Sequence, residues 1–219
     1  SNPVVYVNGH RVGNWAYGYN SFYVNVPQGL MVPGRNSVEV SLENKPKSSR
    51  WYPGAGLYRN VRLVTTSPVH VPTWGTYIVT PFVSEKEASV RLSTEIAGAA
   101  KGEQVLVKTD ILDPDGNVVA TNNCVYHAQG QPFVQDFLVT DPKRWSPDTP
   151  WLYTARTRLN VNGTDVDEYL TRFGIRSLDY IPEKGFFLNG EYTKFKGVCQ
   201  HHDLGPLGAA VNRAALAHQ

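Results

Sequence analysis

The residues best equipped for chemistry lie late in the chain, in the stretch Phe187–Gly208, which reads FLNGEYTKFKGVCQHHDLGPLG. His201, His202 and Asp203 stand together where a short strand should end. If the backbone stays extended, Lys194, Lys196, Val198, Gln200 and His202 share one face and Phe195, Gly197, Cys199, His201 and Asp203 share the other. Two lysines fill a packed interior poorly, so the second face is the inward one and His201 points inward at the C-terminal end of the strand. Three roles stay open for these side chains. A strand-end histidine pair is commonly solvated or satisfied. His201 and Asp203 could be two metal ligands, although zinc would lack its third protein ligand. Or they contact a ligand.

The whole composition narrows the classes. The chain has 219 residues, 41% hydrophobic and 18% charged, with a net charge of +2. That size allows one large or two ordinary domains with a real core. A charge so near neutral argues against nucleic acid or a membrane surface as the main partner. No apolar run approaches the roughly 18 residues of a membrane span. The opening VVYVNG is strand-like and shows no signal-peptide pattern, which leaves the compartment open. Cys124 and Cys199 are expected in different domains and therefore free. No cofactor motif is visible. Aromatics at 11%, with 15 Pro and 19 Gly, suit short strands joined by tight turns.

The elements that must carry the histidines begin with residues 1–66. Val4–Asn8 alternates into Asn8-Gly9, a strong hairpin signal because both residues tolerate positive φ. A strand through Phe22, Val24 and Val26 follows, then the turn Pro33-Gly34-Arg35-Asn36, the alternating Ser37–Leu42, and a loop feeding a last strand that ends near Leu63. Four or five strands are few for a closed sandwich, which takes about seven. The segment reads as the second half of one, and its open edges predict self-association through residues 1–66.

Past the extended connector Pro68-Val69-His70-Val71-Pro72, seven alternating runs follow. They are Thr76–Val83, Ala88–Ile96, Gln104–Leu112, Val118–Thr121, Phe133–Val139, Leu152–Val161 and Val166–Thr171, separated by turns such as Asp113-Pro114-Asp115-Gly116 and Asn162-Gly163. Seven short strands in about 100 residues indicate an immunoglobulin-like sandwich. Its acids (Glu85, Glu87, Asp110, Asp113, Asp115, Asp167 and Glu168) read as solvated faces and turn formers. Trp145 and Trp151 are expected to cap one end of its core, with stacking on a sugar ring as the alternative, and Arg172 and Arg176 to bridge carboxylates or carbonyls at a domain seam. Beyond lie the Asn189-Gly190 hairpin and Asn212, a candidate N-cap for a short helix over Arg213–Gln219.

Taken in order, VYVNGHRVG, GYNSF, PGRNSVEV, RWYPGAGLYRNVRL, the W-x-P-x-x-P-x-L-Y passage Trp145–Tyr153, the FGxR string Phe173–Arg176 and KGVCQHHDLGPLGAAVN resemble glycoside hydrolase family 2. That family contains β-galactosidases, β-glucuronidases and β-mannosidases, and HHDLG resembles its β-galactosidase-like members. The resemblance implies a mainly β architecture in three parts. Residues 1–66 would be the C-terminal part of a sugar-binding jelly-roll sandwich and 67–180 an immunoglobulin-like β-sandwich. Residues 181–219 would be the first strand and helix stub of a truncated (β/α)8 barrel, whose active site lies at the C-terminal ends of its strands.

It also implies a retaining exo-β-glycosidase acting on terminal β-galactosides or related β-glycosides. His201 matches the family's sugar-contacting histidine, with His202 and Asp203 just beyond. Retaining hydrolysis needs two carboxyl groups about 5–5.5 Å apart. In the family both are glutamates on later barrel strands, the acid/base following an asparagine. This chain has no Asn-Glu dipeptide and no acid after Asp203. Neither catalytic glutamate is assignable, and these 219 residues alone are expected to be inactive. The competing reading is a non-catalytic carbohydrate-binding or interaction module, with an aromatic platform of Trp15, Tyr17, Tyr19 and Trp51.

Overall fold

A computed structural model of the chain describes residues 2–47, 56–57, 59–128, 130–198 and 212–218. They fall into two compact units, one drawn from Ser1–Leu63 and Cys199–Gln219, the other from Val64–Val198. Among the described residues the chain is mainly β, with thirteen strands and one short helix.

In the first unit, β1 (Val4–Val7) pairs with both β2 (His10–Asn14) and β3 (Val38–Ser41) in an antiparallel sheet of order β2-β1-β3. The Asn8-Gly9 turn has φ of 47° and 80°, the left-handed pair a two-residue hairpin requires. Asn8 also anchors the loops. Its Nδ2 donates to Leu30 O and Asn36 Oδ1, both at 2.8 Å, and its Oδ1 accepts from Ser37 N at 2.9 Å. Val5 and Val7 of β1 are buried.

Two expected strands do not form here. Residues 21–27 keep the alternation of half-buried and exposed side chains, and Val24 lies against Gly13, yet they join no ladder. Periodicity set the side-chain faces but supplied no partner backbone. Val61, Leu63 and Val64 are all exposed, so the expected last strand has lost even its alternation. The helix α1 (Arg213–Ala217) does begin at Asn212, whose Oδ1 accepts from Ala215 N at 3.1 Å.

The second unit holds seven sandwich strands: β4 (Thr76–Val83), β5 (Glu87–Thr94), β6 (Gln104–Leu112), β7 (Val118–His127), β8 (Phe133–Thr140), β9 (Tyr153–Val161) and β10 (Thr164–Phe173). They form a four-stranded sheet, β10-β9-β6-β7, and a three-stranded one, β4-β5-β8. A third small sheet joins β11 (Leu178–Ile181), β12 (Gly185–Leu188) and β13 (Glu191–Tyr192) in sequence order.

Strict alternation drives this assembly. Ala88, Val90 and Leu92 of β5 and their sheet neighbours Phe137 and Val139 of β8 pack with Ile111 and Ala155 of the other sheet in one buried cluster, closed by Tyr153 and Ile175. Val105, Val107, Tyr126 and Leu159 form a second. Asp113 makes the β6–β7 turn, its Oδ1 accepting from Asp115 N at 2.9 Å and Asn117 N at 2.8 Å. Pro81 cannot donate to a ladder, and the β4–β5 register shifts around it between Val79 and Phe82. Side chains satisfy the disturbed region: Ser89 Oγ accepts from Phe82 N at 3.0 Å, and Thr80 Oγ1 donates to Arg176 O at 2.9 Å.

A buried polar group ties the two sandwich sheets together. Gln135 on β8 is 2% exposed. Its Oε1 accepts from Thr109 Oγ1 on β6 at 2.8 Å, and its Nε2 donates to Asn122 O on β7 at 3.0 Å. Thr109 Oγ1 lies 3.2 Å from Thr157 Oγ1 on β9. Gln135→Ala would leave a cavity and unpaired buried polar groups, and should destabilise the unit by about 2–4 kcal/mol. Urea unfolding followed by far-ultraviolet circular dichroism measures it as a lower midpoint with unchanged slope.

Candidate functional site

His201, His202 and Asp203 lie outside the described residues, as do Cys199 and Trp51. Lys194–Val198, which should begin the inward/outward alternation, are all exposed and belong to no strand. Alternating burial needs a sheet face packed on one side, and these residues make no ladder. Phe195, expected inward, is exposed and stacks on Phe186, with ring centroids 4.7 Å apart.

The elements leading into that stretch are well fixed. Gly174 follows β10, and a Cβ there would come within 2.9 Å of Trp145 Cβ. This close approach lets Trp145 N donate to Ile175 O at 2.8 Å. The Arg176 guanidinium lies over the Trp145 ring, 4.6 Å from its centroid, so an aromatic face is its partner where a carboxylate or carbonyl was expected. Arg172 is exposed on β10. Asn189, at φ 53°, locks the hairpin β12–β13 to this seam. Its Nδ2 donates to Trp145 O at 3.0 Å, its Oδ1 accepts from Ser177 N at 3.1 Å, and its own N–H reaches Ser177 O at 3.0 Å. Of the two expected capping rings, only Trp145 is half-buried. Trp151 is exposed with Lys143 Nζ 5.3 Å from its ring centroid, and Tyr153 with Phe173 fills the core end instead.

The acids are not all solvated, which corrects the expectation for Asp110 and Asp167. Asp110 is 7% exposed on the outer face of β6. It accepts from Arg156 and Arg158 through Oδ2, at 2.9 and 2.7 Å, and from Thr121 through Oδ1 at 2.9 Å. Burial pushes its carboxyl up. The hydrogen bonds from Arg156 and Thr121 and the charges of Arg158 and Arg156 outweigh burial, holding it below the usual carboxylate value. Register alone creates this cluster: Asp110 sits opposite Arg156 on β9 and Thr121 on β7. The alternating Arg156-Thr157-Arg158 was the available sequence signal. Asp167 is half-buried, its Oδ2 accepting from Val71 N at 2.8 Å. Asp113 serves its turn and Asp115 pairs with Lys143, as turn formers should.

Among the described residues, no group of three or more His, Cys, Asp or Glu is placed to hold a metal ion. Cys124 is an exposed free thiol. Of the aromatic platform, Trp15 stacks on Phe22 at 6.0 Å, and Tyr17 and Tyr19 pair at 5.6 Å with both rings exposed. The geometry therefore offers a hairpin anchored to the sandwich through Asn189 and exposed aromatic surface, with the described acids Asp110, Asp113, Asp115 and Asp167 engaged structurally.

Comparison with known proteins bears on what that hairpin serves. Residues 69–176 match the family model for glycosyl hydrolases family 2. A β-galactosidase of Bacteroides ovatus is 41% identical over 98% of this chain and 26% of its own length. A putative β-glucuronidase of Formosa agariphila is 39% identical over 98% of this chain and 20% of its own. A glycosyl hydrolase family 2 crystal structure from Bacteroides cellulosilyticus superposes with a TM-score of 0.87 at 32% identity, covering 98% of this chain and 28% of that one. The chain thus spans about a quarter of the length of the relatives it matches.

Two outcomes follow from the geometry. Asn189→Ala removes both side-chain bonds at a left-handed position and should cost about 1–3 kcal/mol. Hydrogen exchange should then quicken in the β11–β13 amides while β5 and β8 keep their protection. For Asp110 the folded carboxyl binds a proton less readily than the unfolded one. Its contribution is present above the ordinary value of about 3.9 and is lost as pH falls through its lower folded value. Asp110→Asn should flatten that acid limb in a series of urea midpoints.

Proposed function

This chain belongs to glycosyl hydrolase family 2, and on that premise we propose that it is part of a retaining exo-β-glycosidase acting on terminal β-galactosides or related β-glycosides. The single observation carrying the reading is the similarity to a β-galactosidase over nearly the whole chain. A β-glucuronidase-like specificity is the nearest variant, supported by the relative of that description. The proposed division is a jelly-roll portion over 1–66, an immunoglobulin-like spacer over 67–180 and the opening of the catalytic barrel over 181–219. In this reading the Trp145–Arg176–Asn189 seam sets the direction in which the chain leaves the spacer.

His201 is proposed to hydrogen-bond the terminal sugar at the mouth of the first barrel strand, with His202 and Asp203 lining the same subsite. An imidazole suits that task because one ring nitrogen donates and the other accepts, matching a sugar hydroxyl that does both. The two catalytic carboxyl groups are assigned to no residue of this chain. Asp110, Asp113, Asp115 and Asp167 already hold cations or backbone amides, and none is offered as acid/base or nucleophile.

A second reading, a non-catalytic carbohydrate-binding module, draws support from the exposed rings of Tyr17 and Tyr19. Activity separates the two. The 219-residue polypeptide alone should turn over no aryl β-galactoside or β-glucuronide. A protein that carries this segment together with the catalytic glutamates should hydrolyse one of them. His201→Ala should then lower kcat/KM about 10–100-fold, the worth of a hydrogen bond of roughly 1.5–3 kcal/mol, with an unchanged thermal midpoint. Hydrolysis by the isolated chain that disappears in His201→Ala would overturn the assignment. Sugar binding by the glutamate-bearing protein without turnover would favour the module.

A further inference from the structure

The immunoglobulin-like unit carries an open cleft of about 260 Å³ beside its edge strand β4, lined by Trp74, Tyr77, Ser93, Glu95 and Pro132 among others. Its construction is unusual for idle surface. Trp74 has φ 60°, a left-handed conformation that is an outlier for a bulky side chain and costs on the order of 1–3 kcal/mol. The surroundings hold it there. Trp74 N donates to Tyr169 OH at 3.1 Å, and Gly75 N donates to Pro72 O at 2.8 Å. A Cβ on Gly75 would meet Pro72 at 2.8 Å, so the turn closes only with glycine. Gly75 O then accepts from Glu95 N at 2.7 Å, and Thr76 Oγ1 lies 2.8 Å from Thr171 Oγ1. The result is a tryptophan whose backbone is held on the surface and which is still 58% exposed.

The other walls follow from strand register. Tyr77 stands opposite Ser93 in the β4–β5 ladder, and Tyr77 is likewise exposed. Glu95 comes two residues after Ser93, where β5 ends. Two aromatic residues, a serine and a glutamate thus line one small cleft, with Pro132 as a further apolar wall. Small-molecule sites combine aromatic faces with a few fixed polar groups in this way, and the volume, below the roughly 300–1,000 Å³ of drug-sized sites, suits one ring. A pyranose matches it: its C–H face lies on an aromatic ring while its hydroxyls donate to a carboxylate and a serine oxygen.

We propose that the Trp74–Tyr77–Ser93–Glu95 cleft, at the start of β4 and the end of β5, is a pyranose-binding subsite. The choice of sugar over other ring-shaped ligands rests on the glycosidase reading above. Glu95 sets a preference within that class, because its carboxylate accepts from neutral hydroxyls and repels an acidic sugar. Methyl β-galactoside therefore binds more tightly than methyl β-glucuronide.

The test uses the 219-residue chain, titrated with each methyl glycoside and with tetramethylammonium, and followed by amide and indole nitrogen–proton spectra. Methyl β-galactoside should shift the Trp74 indole signal and the amides of Gly75, Thr76, Tyr77 and Ser93. Trp74→Ala should weaken that binding about tenfold. Glu95→Gln should remove the preference over the glucuronide, and His201→Ala should leave the titration unchanged. The proposal is overturned if no sugar moves these signals, if Trp74→Ala binds as well as the parent chain, or if only tetramethylammonium binds. Any of those results leaves the glycosidase reading standing, since that reading is judged by turnover and not by this cleft.

Discussion

Gln135 is the group on which the second unit depends. A β-sandwich is held mainly by apolar burial between two sheets, which is strong but tolerant of sliding. A buried amide is less tolerant, because each unpaired polar atom costs far more than a displaced methyl. Gln135 reaches from the three-stranded sheet to Thr109 and to the Asn122 carbonyl of the four-stranded sheet. It lies where both apolar clusters stop, and it makes one relative placement of the sheets much better than its neighbours.

With the sheets registered, β10 organises what enters and leaves the sandwich. Asp167, Tyr169 and Thr171, on alternate positions of that strand, bond Val71 N, Trp74 N and Thr76 Oγ1 respectively. The connector is thereby clamped, and Trp74 is presented on the surface. The end of the same strand supplies Phe173 to the core, and the residues just past it supply Gly174 and Arg176 to the seam with Trp145. One edge strand thus fixes both the incoming connector and the outgoing hairpin.

Much of this was legible in the residues. Thr76–Val83 and Gln104–Leu112 form strands over the expected residues, because alternation with two packed faces leaves few other solutions. Asn8-Gly9, Asn162-Gly163 and Asn189-Gly190 turn where they must, since the left-handed conformation is accessible to those residues at low cost. The strand through Phe22–Val26 was less legible. Its alternation is real and its faces are correctly sided, but a strand exists only when another backbone accepts its hydrogen bonds. Asp110 was missed for a related reason. A carboxylate on an outer face reads as solvated until register brings two guanidinium groups over it.

The sequence by itself determined the class of the molecule, the sandwich strands, their turns, the helix cap at Asn212 and the family resemblance. These follow from local conformational preference and from the order of short strings, both of which are properties of neighbours in the chain. Only the tertiary structure decided that Gln135 bridges the sheets, that Asp110 is held by Arg156 and Arg158, that Arg176 lies on Trp145, and that Trp74, Tyr77 and Glu95 line one cleft. Most of those partners are between 26 and 48 residues apart and meet through strand pairing and sheet stacking. Their meeting is set by register and packing, which no local preference encodes.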